Sequence, residues 1–323
     1  MRYVEVGGER LSVIGVGAWQ FGSRDWAYGD EYASSTAIEI VHRALDLGVN
    51  FLDTAEIYGF GNSERILGRA IADRRDRAFV ASKLLPIVPP IGAGFIESRG
   101  RKSLRRLGID VIDLYQVHWP NPAIPKRTLA DGLRRLRETG VIRHVGVSNY
   151  GRAGWEALEH ELGSTILSNQ VEYSLATRRP DLEVVPFAQQ NDRLVIAYSP
   201  LAQGLLGCKY EPGNVPHDVR RNNSLFLREN VERAAPLLAV LKDVAKSHDA
   251  TPAQVALAWV VRRPNVVAIP GASSVEQLEA NVAAADLELT DEDDAKLTEA
   301  SDRFDPVRGA AAVPKLLTSR FKH

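Results

Sequence analysis

Four polar side chains have the residue types and spacing of a proton-donating site. Asp53 and Tyr58 lie in NFLDTAEIYG, while Lys83 ends FVASK and His118 ends VIDLYQVH. A free tyrosine is a weak acid, with a reference pKa of about 10. We expect the Lys83 ammonium, held by Asp53, to lower that pKa, and the His118 imidazole to orient a substrate oxygen. The four residues are therefore compatible with the reduction of a carbonyl group.

The composition favours an enzyme that acts on small molecules. The 323 residues carry 40 basic and 41 acidic side chains without a long block of one sign, which argues against nucleic acid as a partner. The sequence begins without a signal-peptide pattern, and no segment approaches the roughly 18 apolar residues of a membrane span. Cys208 is the only cysteine, so an intramolecular disulfide is excluded and a cytoplasmic location is expected. The seven histidines are scattered, so no metal site is predicted.

The secondary-structure pattern is an alternation of helices and strands after an initial hairpin. RYVEV and RLSVI flank Gly7 and Gly8, which suit a tight turn. The predicted strands then lie at SVIGVG, VNFLD, AFVASK, DVIDLYQVH, IRHVGVSN, TILSNQ, RLVIAYSP and VVAIPG. Helical periodicity separates them, including segments near 94–107, 151–161, 180–190 and 232–262.

Eight strands with intervening helices predict an α/β fold, a single (β/α)8 TIM barrel of residues 1–323 with an N-terminal β-hairpin and extended C-terminal loops. The alternative is a Rossmann domain, which requires G-x-G-x-x-G between a strand and a helix. Gly15 and Gly17 lack the third glycine, so we disfavour it. PIVPPIGAG and EPGNVPHDVRR are predicted to be loops at the mouth of the barrel.

The barrel hypothesis places many polar residues at one rim, because active sites of such barrels lie at the C-terminal ends of the strands. Each residue taken alone has a structural explanation: Asp53 as a helix cap, Lys83 as a solvated charge, His118 as a hydrogen-bonded core histidine. Because the three residues occur together at the ends of successive strands, a functional site is favoured over these separate explanations. The predicted strand ends carry Asp53, Lys83, His118, Ser148 with Asn149, Gln170, Tyr198 with Ser199, and Gly271 with Ser273.

The motifs at these strand ends resemble those of the aldo-keto reductase superfamily along nearly the whole chain. They are LDTAEIYG, SK, DLYQVHWP, GVSNY, SNQVEYS, YSPLAQGLL and IPGASS, and the last segments are most similar to the branch of the potassium-channel β subunits and their bacterial relatives. The resemblance implies a (β/α)8 barrel that binds a nicotinamide cofactor without a Rossmann domain. It also implies that Tyr58 is the general acid, that His118 orients the carbonyl, and that Lys83 with Asp53 tunes the tyrosine.

The resemblance further implies how the cofactor is held. Ser148, Asn149 and Gln170 match positions that bind the nicotinamide carboxamide, and Tyr198 matches the aromatic ring on which the nicotinamide stacks. Ala18 and Trp19, after the first strand, match contacts to the cofactor and to the entrance of the substrate pocket. The pyrophosphate contacts match Ser199, Pro200, Leu201, Ala202 and Gly204. The adenosine contacts match Gly271, Ser273, Gln277 and Asn281.

The choice between NADP(H) and NAD(H) depends on cations for the 2′-phosphate. Many members of the superfamily have a lysine and an arginine where this chain has Gly271 and Gln277. The channel-subunit branch takes its cations from the loop after strand seven, which here supplies Lys209 and Arg220. We expect these two to pair with the phosphate, so NADP(H) is favoured and NAD(H) is not excluded. Ala280 replaces the glutamate usual in that branch.

The predicted reaction is reduction of an aldehyde or ketone to an alcohol by hydride transfer from nicotinamide C4, with Tyr58 donating the proton. We expect Trp19, Tyr58, His118 and Trp119 to line the substrate pocket, together with Trp26, the 84–94 loop and the segment 302–323. Two alternatives stay open. One is an NADPH-binding regulatory protein that senses redox state and turns over slowly, and the other is a lyase that forms a Schiff base on Lys83.

Overall fold

A short hairpin precedes the main sheet in the computed structural model, which describes residues 1–22, 35–87, 92–216 and 218–315. The two hairpin strands pair antiparallel, and Gly7 and Gly8 adopt positive φ of 58° and 80° in the turn between them. This turn matches the twist of the strands, and a β-carbon would disfavour it. The hairpin strands are β1 (Tyr3–Val6) and β2 (Glu9–Ser12).

The described residues then form one eight-stranded parallel sheet whose strands follow chain order, each hydrogen-bonded to the next. Its strands are β3 (Val16–Gly17), β4 (Phe51–Asp53), β5 (Phe79–Leu84), β6 (Ile112–Val117), β7 (Ile142–Ser148), β8 (Ser168–Glu172), β9 (Leu194–Tyr198) and β10 (Val266–Ala268).

The sheet closes into a barrel because the first and last strands also pair. Ile14 forms a parallel bridge with Ala268, the Gly15 amide donates to the Ala268 carbonyl at 2.8 Å, and the Gly17 amide donates to the Pro270 carbonyl at 3.2 Å. Two glycines permit this approach. A β-carbon on Gly17 would lie 2.7 Å from the Ile269 carbonyl oxygen, and one on Gly15 would lie 2.7 Å from that of Phe51. The predicted (β/α)8 barrel with its N-terminal hairpin is confirmed.

Helices lie between the strands and cover the outside of the barrel. Their apolar faces are buried, as Ile40, Val41 and Leu45 illustrate on the first of them. None of the described helices is long and apolar enough to cross a bilayer. The described helices are α1 (Ala37–Asp46), α2 (Asn62–Ala70), α3 (Gly92–Leu107), α4 (Lys126–Glu138), α5 (Arg152–Leu162), α6 (Val184–Gln190), α7 (Arg228–Ser247), α8 (Pro252–Val261), α9 (Val275–Ala283) and α10 (Asp291–Asp302).

The helical segments predicted near 232–262 are the two helices α7 and α8, because Thr251 caps α8 in a capping box with Gln254 and Pro252 follows it at the first position. The first of them begins earlier than predicted, at Arg228. The segment near 180–190 begins as a short 3₁₀ turn, Arg179–Leu182, before α6 starts at Val184.

The buried core has two parts, one between the sheet and the helices and a smaller one inside the barrel. The inner cluster includes Phe51, Phe79, Leu114 and Ile196 from four strands, and Leu11 of the hairpin packs into it. Since Phe51 and Phe79 begin their strands, the hairpin covers the N-terminal end of the barrel. Apolar packing therefore fills this end, and the polar side chains of the strands lie at the other end.

Candidate active site

A cavity of about 1290 Å³ opens at the C-terminal ends of the strands. It is long, reaching from the region of Tyr58 and His118 to that of Ser273 and Asn281. Its lining includes Gly17, Trp19, Gln20, Asp53, Ile57, Tyr58, Phe60, His118, Trp119, Ser148, Asn149, Gln170, Tyr198, Ser199, Pro200, Leu201, Gln203, Gly204, Lys209, Tyr210, Arg220, Thr251, Ala253, Gly271, Ser273, Gln277, Ala280 and Asn281.

Lys83 and Asp53 form a buried ion pair beneath this cavity. Asp53 ends β4 and Lys83 is the penultimate residue of β5, the next strand of the barrel. The Lys83 Nζ donates to Asp53 Oδ2 at 2.5 Å and to the Thr54 carbonyl at 2.8 Å. The Lys83 side chain is 0% exposed and that of Asp53 2%. Burial lowers the pKa of Lys83, while the neighbouring Asp53 acts in the opposite direction.

Tyr58 lies next to this ion pair, at the start of a short 3₁₀ turn (Tyr58–Gly61). The Lys83 Nζ donates to the Tyr58 hydroxyl at 3.4 Å. Burial raises the pKa of Tyr58 well above its ordinary value, and the Asp53 carboxylate raises it further. The net pKa is therefore not lowered as expected, because burial disfavours the phenolate and the charge of Asp53 disfavours it further. Tyr58 therefore retains its proton at neutral pH.

His118 follows β6 and faces the ring of Tyr58. The two ring centroids are 5.8 Å apart in an edge-to-face arrangement, and the other ring neighbour, Trp119, stacks on the imidazole at 3.8 Å with 5° between the planes. Burial, with the nearby charge of Lys83, lowers the pKa of His118 to about 2. His118 is therefore neutral, so one ring nitrogen donates a hydrogen bond and the other accepts one.

A fifth residue, Gln116, belongs to the cluster of Asp53, Tyr58, Lys83 and His118 and was not predicted from the sequence. Its Nε2 donates to Asp53 Oδ1 at 3.3 Å, and Gln170 donates to the same oxygen at 2.8 Å. Asp53 thus receives hydrogen bonds from an ammonium and two amides. The alternation of side chains along a strand could have identified it, because Gln116 lies two positions before His118 and therefore points to the same, inward face.

The predicted nicotinamide contacts lie together on the far side of the ion pair. Ser148 Oγ donates to the Gln170 carbonyl at 2.9 Å, and Asn149 Nδ2 donates to the His118 carbonyl at 3.2 Å. The Tyr198 hydroxyl donates to Asn149 Oδ1 at 2.9 Å, and burial raises the pKa of Tyr198. This network holds polar side chains from β7, β8 and β9 in one part of the cavity.

Strained backbone accompanies these residues. Nine described non-glycine residues have positive φ, and four of them line the cavity, namely Phe60, Asn149, Ser199 and Gln203. Such conformations persist only where the surroundings enforce them, and they cluster at functional sites. The loop after β9 is the clearest case, since Ser199, Ala202, Gln203 and Gly204 all adopt φ between 48° and 101°.

The far end of the cavity contains the predicted adenosine contacts. Ser273 Oγ donates to Gln277 Oε1 at 2.8 Å, and Asn281 Nδ2 donates to the Gly271 carbonyl at 3.4 Å. Gln20, which the sequence analysis did not identify, lines the same region and donates to the Ala272 carbonyl at 2.5 Å. Gly271 and Gln20 are closely packed, because a β-carbon at 271 would lie 2.2 Å from Gln20 Oε1 and the glutamine side chain would have to move.

Both predicted cations line the cavity, and Arg220 is already paired there. Its Nε lies 2.8 Å and 3.0 Å from the two carboxylate oxygens of Asp218, and its Nη2 donates to Asp218 Oδ2 at 2.5 Å. Asp218 therefore occupies the Nε and Nη2 edge of the guanidinium that was expected to pair with the phosphate.

Three of the predicted site residues, Lys83, Ala18 and Ala202, are buried and do not line the cavity. Trp19 and Trp119 do line it, at its mouth, and are partly exposed. Trp26 and residues 316–323 lie outside the described part of the chain, as do 88–91 of the 84–94 loop. No cluster of potential metal ligands occurs within the described ranges.

The placement of Lys83 weighs against the Schiff-base alternative. A lysine nucleophile must reach the substrate carbonyl as a free amine. The Lys83 side chain is fully buried, pairs with Asp53 and does not line the cavity, whereas Tyr58, which it contacts, does.

Comparisons with known proteins agree with this geometry. The model of the "Aldo/keto reductase family" matches residues 13–302. An uncharacterized oxidoreductase of Mycobacterium tuberculosis is 53% identical over 310 residues, covering 95% of each chain. The methylglyoxal reductase YeaE of Escherichia coli is 31% identical over 291 residues, covering 90% of this chain and 91% of that protein. The crystal structure of an aldo-keto reductase from Klebsiella pneumoniae in complex with NADPH is similar at a TM-score of 0.73 and 28% identity, covering 96% of this chain and 98% of that one. The chain belongs to the aldo-keto reductase family.

Proposed function

We propose that this protein reduces aldehydes or ketones to alcohols with NADP(H), using Tyr58 as the general acid. The observation that supports this most directly is the contact of the Lys83 ammonium with the Tyr58 hydroxyl, beside a neutral His118 at one end of a long cavity. The relatives support the same reaction class, since one is named a methylglyoxal reductase and a solved structure contains NADPH.

The cavity residues fit a nicotinamide dinucleotide. Amide and hydroxyl groups of Ser148, Asn149 and Gln170 suit a carboxamide, and the ring of Tyr198 beside them offers an aromatic face. Polar and glycine-rich loops continue from there to Ser273 and Asn281, as an extended ligand requires. When bound, the cofactor would supply the hydride for the carbonyl carbon.

The proton comes from Tyr58. Because Lys83 donates to the phenolic oxygen, the O–H of Tyr58 is free to point toward a substrate oxygen in the cavity. The raised pKa keeps that proton in place until negative charge develops on the substrate. The ammonium of Lys83 then stabilises the phenolate that forms, and Asp53, with its hydrogen bonds from Gln116 and Gln170, keeps the ammonium in position.

His118 orients the substrate. Its neutral imidazole donates one hydrogen bond to the carbonyl oxygen without adding a charge, and stacking on Trp119 fixes the plane of the ring. Exposed apolar side chains at the mouth, including Ile57, Phe60 and Trp119, exclude water from the reacting group when substrate covers them.

The test combines binding with turnover. NADPH and NADH are titrated by fluorescence quenching, and a panel of aldehydes and ketones is followed at the cofactor absorbance. We expect Tyr58→Phe to reduce turnover at least 100-fold, the lower range for loss of a general acid, with cofactor affinity nearly unchanged. Tyr150→Phe is the matched control, since Tyr150 is buried outside the cavity lining. Turnover by Tyr58→Phe near the parent rate would refute the assignment, and tight NADPH binding without turnover of any substrate would favour the regulatory alternative.

A further inference from the structure

A buried carboxylate outside the proposed reaction steps lies two residues before Tyr58. Glu56 occupies the middle of a tight turn, in which the Tyr58 amide donates to the Ala55 carbonyl at 3.1 Å. The Glu56 side chain is 3% exposed, whereas the next residue, Ile57, is exposed. The turn therefore buries its charged side chain and exposes its apolar one. Burial of a carboxylate is costly unless it is paired and hydrogen-bonded, so the partners of Glu56 indicate its role.

These partners join the turn to the end of the strand that carries Lys83. Glu56 Oε1 accepts from the Leu85 amide at 2.6 Å, and the Glu56 amide donates to the Lys83 carbonyl at 3.4 Å. The other carboxylate oxygen, Oε2, accepts from Arg99 Nε of α3 at 2.7 Å, and Arg106 Nη2 lies farther away, at 3.9 Å. One oxygen thus binds the backbone that follows β5, and the other binds a helix on the outside of the barrel.

The end of β5 holds two members of the site directly. Lys83 is part of the strand, and the His118 amide donates to the Leu84 carbonyl at 2.9 Å. Tyr58, by contrast, lies outside the sheet in a 3₁₀ turn, and the Lys83 Nζ donates to its hydroxyl at 3.4 Å. The position of this hydroxyl therefore depends on the link between the turn and the strand, to which Glu56 contributes both a side chain and a backbone amide.

We propose that Glu56, held by Arg99, is a positioning residue that fixes the Tyr58 hydroxyl relative to Lys83 and His118. Buried ion pairs contribute little net stability, and their best-attested role is to specify one arrangement of the chain. This proposal rests on the proposed function, because it assigns Glu56 to the placement of the proton donor. Glu56 does not line the cavity, so its effect on the reaction passes through the residues that it holds.

The decisive variant is Glu56→Gln. It keeps the length of the side chain but only one of the two acceptor oxygens, so an amide NH2 group must face either the Leu85 amide or Arg99. We expect kcat for carbonyl reduction to fall roughly tenfold, because misplacement of a reacting group by about 1 Å can cost about 100-fold. The KM for the carbonyl substrate and the dissociation constant of NADPH should change less than about twofold, since neither ligand contacts Glu56.

Asp113→Asn is the matched control. Asp113 is also a buried carboxylate bound to β5, since its Oδ2 accepts from the Val80 amide at 2.8 Å and from Arg75 Nη2 at 2.6 Å. Val80 lies near the opposite end of the strand from Lys83. Removal of this charge should destabilise the fold as Glu56→Gln does, but it should leave kcat within about twofold of the parent value.

A second readout requires neither cofactor nor substrate. In cofactor-free protein with tyrosine isotopically labelled at Cζ, the NMR resonance that is missing from Tyr58→Phe identifies Tyr58. We expect Glu56→Gln to shift this resonance, because the Tyr58 hydroxyl moves relative to the Lys83 ammonium, and Asp113→Asn to leave it in place. Glu56→Asp keeps the charge for Arg99 but is one methylene too short to span both partners, so it repeats both measurements if Glu56→Gln does not fold.

A kcat near the parent value in folded Glu56→Gln, or an equal loss in Asp113→Asn, would overturn the role of Glu56. An unmoved Tyr58 resonance would also overturn it, as would a rise in KM that accounts for the whole loss of kcat/KM. If the parent protein turns over no carbonyl compound, the proposed function is refuted, and the resonance alone then decides whether Glu56 positions Tyr58.

Discussion

Replacement of Asp53 by asparagine removes the negative charge from the buried ion pair and nearly preserves the shape of the side chain. Asparagine has the same shape and keeps an Oδ1 acceptor for Gln116 and Gln170, so the hydrogen bonds on that side are retained. The Lys83 ammonium loses its only carboxylate hydrogen-bond partner among the described residues, at 2.5 Å, and remains fully buried. The variant therefore removes the charge of Asp53 together with its hydrogen bond from the ammonium, since an amide NH2 group, which is a donor, replaces Oδ2 there.

The magnitude follows from the geometry of the pair. Coulomb's law with an effective dielectric constant of about 20 gives an attraction on the order of 6 kcal/mol at 2.5 Å, which desolvation of both groups offsets in part. Removal of one partner from a buried pair costs about 3–5 kcal/mol, because the other charge stays behind. We expect a loss of this size in the free energy of unfolding of Asp53→Asn at pH 7.

The pH dependence has a definite sign. Burial already lowers the pKa of Lys83, and loss of Asp53 removes the largest contribution that raises it. Native Lys83 in the variant thus releases its proton before the unfolded chain does, so the stability of the variant increases as the pH rises through the lowered pKa. The difference from the parent should be smaller at pH 9 than at pH 7.

Urea unfolding at the two pH values, followed by circular dichroism, measures both effects. The double variant Asp53→Asn with Lys83→Met carries no charge at this position and should be more stable than Asp53→Asn alone. A loss below about 1 kcal/mol at pH 7, with no dependence on pH, would refute the reasoning, since the pair would then contribute no more than a surface ion pair.

Two further predictions concern the proton donor and the cofactor cation. The rate of carbonyl reduction at saturating cofactor should be constant between about pH 5 and 9, because His118 is neutral above its pKa of about 2 and Tyr58 keeps its proton below its raised pKa. An ionisation near the ordinary histidine pKa in the pH–rate profile would contradict this assignment. Arg220→Ala should weaken NADPH roughly 10- to 100-fold and NADH much less, because it removes one of the two predicted cations of the cavity and leaves the negative charge of Asp218 without it. Equal losses of affinity for the two cofactors in a fluorescence titration would show that Arg220 does not bind the 2′-phosphate.

Much of the barrel was predictable because its determinants are local in sequence. Apolar runs of strand length, helical stripes and Gly7–Gly8 identified the hairpin and eight strands in the correct order. Parallel strands bring their C-terminal ends together, so the sequence alone assigns Asp53, Lys83 and His118 to one rim.

The hydrogen bonds across the barrel were not predictable in the same way. Gln116 and Gln170 meet at one oxygen of Asp53 only because of the register and closure of the sheet, which depend on contacts between distant strands. The partner of Arg220 is a comparable case. Asp218 is two residues away in a loop, where the backbone has no fixed period that would indicate whether the side chains meet.

The error about Tyr58 has a different origin, and it clarifies the chemistry. Sequence spacing identifies which charges surround a group, but the extent to which the group is removed from water depends on the whole fold. Here burial dominates both titrating members of the site: it raises the pKa of Tyr58 and lowers that of His118, and in both cases it favours the uncharged form. An uncharged donor beside an uncharged imidazole can meet a neutral carbonyl without desolvating an ion. In the proposed reaction, the positive charge of Lys83 lies next to the Tyr58 hydroxyl, where it would stabilise the negative charge that develops on the phenolic oxygen.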